Sequence, residues 1–244
     1  MKITVTGIGP GNDSGMTIEA LEAIRQAEVV VGYDVYVALV RHLCDGKEVL
    51  STGMRHEVER CRMALEAALQ GKRVAFVCSG DAGIYGMAGI MMEVAADCPE
   101  VVVEVVPGVT AASFAAAHLG APLGHDFAAI SLSDLLTPWA LVEKRVRLAA
   151  EADLILCLYN PRSKKRQDYL DKAVAYILEH RDAATPSGYV KNAGRTGTEV
   201  HICRLDEIPN CAVDMFTTVV VGNSQTRVVN GRLVTPRGYR GFEG

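Results

Sequence analysis

The chain lacks three features that mark common classes of protein: long apolar runs, an excess of positive charge and paired cysteines. Its apolar runs, such as residues 101–103 and 219–221, are far shorter than the ~20 residues of a membrane-spanning helix. Its 25 Lys and Arg against 29 Asp and Glu give a net charge of -4, so no overall positive field attracts a nucleic acid. Residues 1–16 do not have the pattern of a secretory signal. We therefore expect a cytoplasmic protein with no membrane or nucleic acid partner.

The seven cysteines are scattered and form no C-x-x-C pair, which indicates reduced core residues rather than disulfides or a zinc site. His201 and Cys203 stand two apart on one face of a predicted strand. An isolated pair of this kind is more often packing than metal ligation. No metal site is predicted.

Strands alternate with helices through the first half of the chain, which is typical of an α/β fold. Strands are more frequent in the second half, which predicts a mixed sheet, and Asn230-Gly231 predicts a tight hairpin. The stretch Gly120-Ala121-Pro122-Leu123-Gly124 interrupts the alternation and predicts a linker. Two α/β domains are expected, at residues 1–119 and 120–244.

Three glycine-bearing turns, at residues 7–12, 79–86 and 107–113, each follow a predicted strand. The first resembles a dinucleotide fingerprint but has Asn12 where that fingerprint needs glycine, and Pro10 removes an amide, so an NAD site is disfavoured. The second combines room for a ligand with the Asp81 carboxylate, and the third places Thr110 at the start of a helix. Because ligands bind at the carboxyl ends of strands in open α/β sheets, the turns predict a pocket. The alternative for the second turn is a solvated loop in which Asp81 caps the next helix.

Two basic loops follow strands of the second half. Residues 162–166 hold four cations in five positions, and Lys191 and Arg195 flank a second glycine-bearing loop. A surface patch is the ordinary explanation of such clusters. At the opening of a helix the same groups favour an anionic ligand, and two such loops indicate a polyanionic small molecule.

In this order, residues 79–87, 124–127, 158–161 and 217–224 resemble the motifs of the tetrapyrrole methylase family, and the resemblance runs from Lys2 to about Tyr239. The family transfers methyl groups from S-adenosylmethionine to corrin precursors. The resemblance implies two α/β domains with the active site in the cleft between them, a homodimer, and a cofactor bound without a phosphate grip. Many members have Asp at Asn12 and Pro at Ala82, and neither difference removes an implied contact.

Carried over residue by residue, the resemblance implies one set of cofactor contacts from each half. They are Pro10, Gly80, Asp81, Ile84, Thr110 and Ala111 from the first half, and Tyr159, Asn160, Lys191 and Thr217 from the second. S-adenosylhomocysteine would be the product.

Within the family, the combined motifs resemble those of members that methylate ring carbon 17 of precorrin-3B and contract the ring to precorrin-4, in cobalamin biosynthesis. The alternatives are cobalt-factor III as substrate and a non-catalytic tetrapyrrole-binding protein. Ring contraction needs a general base, and our hypothesis is that His125 or Asp126 gives acid or base help; the alternative is a linker pair that caps local backbone. Arg162, Lys164 and Lys165 are the candidates for pairing with the substrate's carboxylates.

Overall fold

The structure, a computed structural model, describes residues 1–163 and 167–239. The chain forms two compact units, Met1–Ala111 (unit 1) and Ala112–Gly244 (unit 2). Both are α/β.

Unit 1 alternates five strands with four helices. In chain order these are β1 Lys2–Gly7, α1 Ile18–Gln26, β2 Val29–Tyr33, α2 Asp34–Leu39, β3 Glu48–Thr52, α3 Glu57–Leu69, β4 Val74–Cys78, α4 Ala88–Val94 and β5 Val102–Val106. The strands form one parallel sheet in the order β3-β2-β4-β1-β5. Thr17 caps α1, since its side chain accepts a hydrogen bond from the amide of Ala20 at 3.0 Å.

Helices cover both faces of this sheet, which is why its central strands are nearly continuous runs of apolar residues. On one face Cys61 of α3 and Met91 of α4 belong to the same buried cluster as Phe76 of β4. On the other face Ile24 of α1 packs in a cluster with Val77 of β4. The carboxyl ends of β4, β1 and β5 therefore lie side by side at one edge.

The described residues of unit 2 form most of helix α5, two further α-helices and eight strands. In chain order these are α5 Ala111–Leu119, β6 Gly120–Ala121, β7 Phe127–Ser131, α6 Trp139–Glu151, β8 Ile155–Tyr159, α7 Tyr169–Leu178, β9 Pro186–Lys191, β10 Glu199–Arg204, β11 Thr217–Val221, β12 Arg227–Val229 and β13 Arg232–Val234. A 3-10 helix, Leu205–Asn210, joins β10 to the segment before β11.

The main sheet of unit 2 has the order β10-β9-β11-β8-β7 and is mixed, as predicted: β7 and β8 run parallel and the other pairs antiparallel. Helices α6 and α7 cover one face, where Val146 and Ile177 pack with Leu158. Helix α5 covers the other. The predicted hairpin turn is confirmed, with φ angles of 49° at Asn230 and 73° at Gly231, as a primed turn requires.

The division between the units does not follow the predicted linker. The apolar side of α5 joins a buried cluster of unit 2, in which Leu119 packs with Cys157. Gly120 then pairs with Leu233 as part of a small three-stranded sheet. The units therefore divide eight residues before the predicted boundary after Leu119, because α5 is already packed into unit 2, and the expected linker begins with a paired two-residue strand.

In the described part of the chain, no helix is both long and apolar enough to cross a membrane. The same residues contain no group of three or more His, Cys, Asp or Glu side chains arranged to hold a metal ion. All seven cysteines are free thiols.

Candidate functional site

The three glycine turns meet at one edge of the unit 1 sheet. The backbones of Gly9 and Gly80 exchange two hydrogen bonds, of 3.0 and 2.7 Å. The amide of Gly108 donates to Oδ2 of Asp81 at 3.0 Å. A Cβ at Gly80 would lie 3.7 Å from the amide nitrogen of Ala111 and 3.8 Å from Cα of Thr110. The turns are thus contiguous, because the strands that precede them are neighbours.

The glycines of these turns serve mainly the contact of one turn with another. A Cβ at Gly7 would lie 2.7 Å from the amide nitrogen of Gly108, and a Cβ at Gly108 would lie 2.2 Å from the carbonyl oxygen of Gly80. Within the second turn, a Cβ at Gly86 would lie 2.2 Å from the carbonyl oxygen of Ala82. The sequence suggested space for a ligand at these positions, whereas backbone atoms fill that space.

Asp81 organises the second turn through both carboxylate oxygens. Oδ1 accepts hydrogen bonds from the amides of Gly83 at 2.8 Å and Ile84 at 3.0 Å, and Oδ2 accepts the bond from Gly108. The carboxylate caps its own turn rather than the following helix. This arrangement leaves Ile84 and Tyr85 45% and 57% exposed at the surface of the turn, so the turn presents apolar surface.

In the first turn, residues 8–10 have no free backbone amide with which to bind a phosphate. The amide of Ile8 donates to the carbonyl oxygen of Cys78 at 2.8 Å, and that of Gly9 donates to Gly80. Pro10 has no amide hydrogen; it is buried, and its ring packs against Gly15. Residues 8–10 therefore offer no free backbone amide to a pyrophosphate. A dinucleotide site requires such amide donors, whereas a cofactor without phosphate groups does not.

In unit 2 the four predicted cofactor residues lie at one edge of the main sheet, here called the polar edge: Tyr159, Asn160, Lys191 and Thr217. Strand β11 is antiparallel to its neighbours β8 and β9, so its first residue, Thr217, pairs with Lys191 at the end of β9. Tyr159 ends β8, and its hydroxyl accepts a hydrogen bond from the amide of Ala112 at 3.0 Å. Asn160 has a φ of 51° and donates from Nδ2 to the hydroxyl of Ser131 at 3.1 Å.

Asp214 organises the polar edge and was missed in the sequence. Its Oδ2 lies 3.4 Å from Nζ of Lys191, and its Oδ1 accepts a hydrogen bond from the hydroxyl of Thr217 at 3.1 Å. The same hydroxyl accepts a bond from the amide of Asp214 at 3.1 Å. The sequence feature that could have identified Asp214 is its position three residues before Thr217, which begins a predicted strand. In the structure that strand pairs with the strand that leads into the basic loop at Lys191.

The structure separates His125 and Asp126 from the polar edge. They precede β7, and Asp126 accepts a hydrogen bond through its backbone oxygen from the amide of Ile155, the first residue of β8. Because β7 and β8 run parallel, this pair lies at the opposite end of the sheet from Tyr159, about 13 Å or more away along the strands. The Asp126 side chain is 87% exposed. The acid or base role predicted for the pair therefore has no support from proximity within unit 2.

Arg162 is paired within unit 2. Its guanidinium pairs with Asp171 and donates to the backbone oxygens of Pro209 and Cys211, and its side chain is 16% exposed. These bonds tie the loop after β8 to α7 and to the end of the 3-10 helix. Binding of a substrate carboxylate by Arg162 stays a prediction, which these bonds do not support. Lys164 and Lys165, the other two candidates, lie outside the described residues.

The buried thiols of Cys78 and Cys157, in strands that lead to the predicted site residues, are poor nucleophiles at neutral pH. Burial raises the pKa of Cys78 at the end of β4 and of Cys157 within β8 to about 12. Both thiols are therefore protonated at neutral pH, and a protonated thiol is a poor nucleophile. The arrangement is suited to binding and alignment rather than to covalent catalysis.

The sequence model of the family described as Tetrapyrrole (Corrin/Porphyrin) Methylases matches residues 2–209 of the chain. The chain belongs to the tetrapyrrole methylase family. Some relatives are matched along nearly their whole length, whereas others, such as a cobalt-factor III methyltransferase from Priestia megaterium, are matched over 45% of theirs. A protein named probable cobalt-factor III C(17)-methyltransferase, from Salmonella typhimurium, is 49% identical, with 97% of this chain and 99% of that protein covered. A precorrin-3B C(17)-methyltransferase from Sinorhizobium sp is 39% identical, with 97% of this chain and 96% of that protein covered.

Among solved structures of tetrapyrrole methylases, the methyltransferase CobJ superposes on this chain with a TM-score of 0.89. The two are 37% identical, and the match covers 96% of this chain and 99% of CobJ. The α/β fold inferred from the sequence is thereby confirmed.

Proposed function

We propose that the protein is an S-adenosylmethionine-dependent methyltransferase of cobalamin biosynthesis that methylates ring carbon 17 of a corrin precursor. The observation that carries the proposal is the end-to-end similarity to relatives named for this reaction. The matches to these relatives cover 97% of the chain and therefore extend through both units.

Two substrates fit the proposal, and the relatives favour one of them. The sequence motifs alone suggested precorrin-3B. The relative named for cobalt-factor III is more similar to this chain than the one named for precorrin-3B, 49% against 39%. We therefore place cobalt-factor III first and keep precorrin-3B as the second candidate. The two differ in the metal that the macrocycle carries, whereas their carboxylates are shared.

The residues of unit 1 suit S-adenosylmethionine better than a dinucleotide. The first turn lacks donors for phosphate, and the second turn presents the apolar surface of Ile84 and Tyr85. Pro10, which is buried, would hold the cofactor from unit 1 together with Gly80, Asp81, Ile84, Thr110 and Ala111. From unit 2 the contacts would come from the polar edge.

S-adenosylmethionine supplies a methyl group on a positively charged sulfur. The protein's own task is alignment, which can contribute roughly 7–11 kcal/mol of barrier reduction. The hydrogen bonds of Asp81 fix the shape of the second turn, and Asp214 holds Lys191 and Thr217 in place. Such fixed positions are what alignment requires. The homodimer implied by the resemblance and the cytoplasmic location expected from the sequence stay predictions, and sedimentation analysis of the purified protein tests the first.

The proposal is tested by anaerobic incubation with methyl-labelled S-adenosylmethionine and, separately, with cobalt-factor III and precorrin-3B. We expect the label to move to the macrocycle, with cobalt-factor III the faster substrate. Mass spectrometry of fragments locates the new methyl group. Retention of all label on the cofactor, with the tetrapyrrole still bound, would identify a carrier instead of an enzyme and refute the proposal.

A further inference from the structure

Two adjacent leucines are held in solvent in the loop that follows β7. Leu136 is 97% exposed and Leu135 is 56% exposed. Residues 132–138 are here called the leucine loop. Isolated exposed leucines are common and need no explanation. A functional role for this pair therefore needs two further observations, the anchoring of the loop and its position in unit 2.

The leucine loop is anchored on both sides of the leucines. Before them, Oδ2 of Asp134 accepts a hydrogen bond from the hydroxyl of Tyr169 at 2.7 Å. After them, the ring of Trp139 packs against the ring of Tyr169, with centroids 4.2 Å apart. One aromatic residue of α7 therefore fixes both ends of the segment. The leucines are presented outward by a supported loop.

The leucine loop adjoins the polar edge of unit 2. The amide of Leu132, its first residue, donates to the backbone oxygen of Tyr159 at 2.9 Å. Asn160 reaches Ser131, the residue just before the loop, through its side-chain hydrogen bond. The exposed leucines thus extend the surface formed by residues implied in cofactor binding.

A second apolar pair lies across the same edge. Met215 and Phe216, in the segment that leads into β11, are each 38% exposed. Strand β8 lies between β7 and β11, so the ends of the two strands next to these apolar pairs are two strand spacings apart, about 10 Å. Tyr159, at the end of β8, lies between them.

We propose that Leu135 and Leu136 form an apolar subsite that packs against the face of the tetrapyrrole macrocycle. The inference rests on the proposed function for the identity of the ligand. A flat macrocycle with carboxylates at its rim needs apolar contacts for its faces as well as cations for its rim. A standard protein interface takes about 800 Å² and 20–30 residues from each partner, whereas the exposed apolar groups identified at this edge are four side chains. That scale fits a small ligand better than a second protein.

The test compares Leu136→Ser and the double variant Leu135→Ser/Leu136→Ser with Leu148→Ser. Leu148, on α6, is 53% exposed and serves as the matched control. Dissociation constants are measured for cobalt-factor III by absorbance titration and for S-adenosylhomocysteine by calorimetry. We expect the double variant to raise the first constant roughly 10- to 100-fold, from the loss of buried leucine surface. The second constant and both constants of the control should not change.

Unchanged affinity of the double variant for cobalt-factor III, with the wild type binding it, would overturn the subsite and leave the proposed function intact. Equal weakening of both ligands would also overturn it, since that result indicates general damage. A lower oligomeric state of the double variant in sedimentation would assign the leucines to a contact between copies. If the wild type bound neither cobalt-factor III nor precorrin-3B, the proposed function would fail and the subsite with it.

Discussion

Replacing Gly108 by alanine should pull apart the three glycine turns of unit 1. The added Cβ would lie 2.2 Å from the carbonyl oxygen of Gly80 and 2.5 Å from that of Gly7, whereas ordinary contact begins at 3.4 Å. Both neighbours are backbone atoms and cannot rotate away, so one turn must move by roughly 1 Å, a shift of the kind that overpacking forces.

The cost follows from the hydrogen bonds that join the turns. Two bonds link Gly9 to Gly80 and one links Gly108 to Asp81. At about 1 kcal/mol each they contribute about 3 kcal/mol. In a protein of this size that loss corresponds to a fall in melting temperature of about 6–12 °C. Because Thr110 and Ala111 adjoin these turns, affinity for S-adenosylhomocysteine should fall as well.

Gly89→Ala is the matched control in the same unit. Gly89 lies in the first turn of α4, and a Cβ there meets nothing within 4 Å. Alanine is the better helix former by about 1 kcal/mol, so the control should melt at the same temperature or slightly higher. Differential scanning calorimetry measures both variants. If Gly108→Ala melted within about 2 °C of the wild type and bound S-adenosylhomocysteine equally well, the explanation of these glycines by backbone contact would be refuted.

Three substitutions and one chemical modification test further individual side chains. Asp81→Asn places an amide group where the Gly108 amide needs an acceptor, and calorimetry should show a loss of about 1–3 kcal/mol in stability with weaker S-adenosylhomocysteine binding; unchanged values would contradict the bonding described. Arg162→Met should lower stability by about 2 kcal/mol and leave the dissociation constant of cobalt-factor III unchanged; a selective loss of that affinity would restore its role in substrate binding. His125→Ala should retain full ring contraction in a single-turnover assay, and loss of the contracted product would reinstate the acid or base hypothesis. Cys78, whose pKa burial raises to about 12, should resist iodoacetamide at pH 8 until the protein is denatured.

Elements with a strong local pattern could be predicted from the sequence. From the sequence, strands are predicted at residues 127–131, 199–204 and 217–221, and these are the bounds of β7, β10 and β11. The Asn-Gly hairpin has the predicted turn. Strand β3 and helix α2 were missed. β3 is a partly exposed edge strand without clear alternation, and α2 has six residues, fewer than two helical turns. Short or half-exposed elements depend on their neighbours for stability, so their own residues carry little signal.

The convergence of the three glycine turns was predictable for a physical reason. Parallel strands end at the same edge of a sheet, so turns that follow such strands lie close together if the strands are neighbours. The function of each glycine was not predictable, since a glycine that admits a ligand and one that admits another backbone look the same in sequence. Gly7 and Gly108 belong to the second kind.

Charges and strand directions needed the tertiary structure. The sequence shows that residue 162 is an arginine, but it does not show which groups the guanidinium pairs with. In the structure these are Asp171 and two backbone carbonyl groups more than 40 positions away. His125 and Tyr159 flank two neighbouring parallel strands, and because one precedes its strand and the other ends its own, they lie at opposite ends of the sheet. Local sequence thus encodes which residues end strands, form turns and carry charge. Long-range packing decides which of those residues contact one another and which are already paired, because those contacts join segments that are distant in the chain.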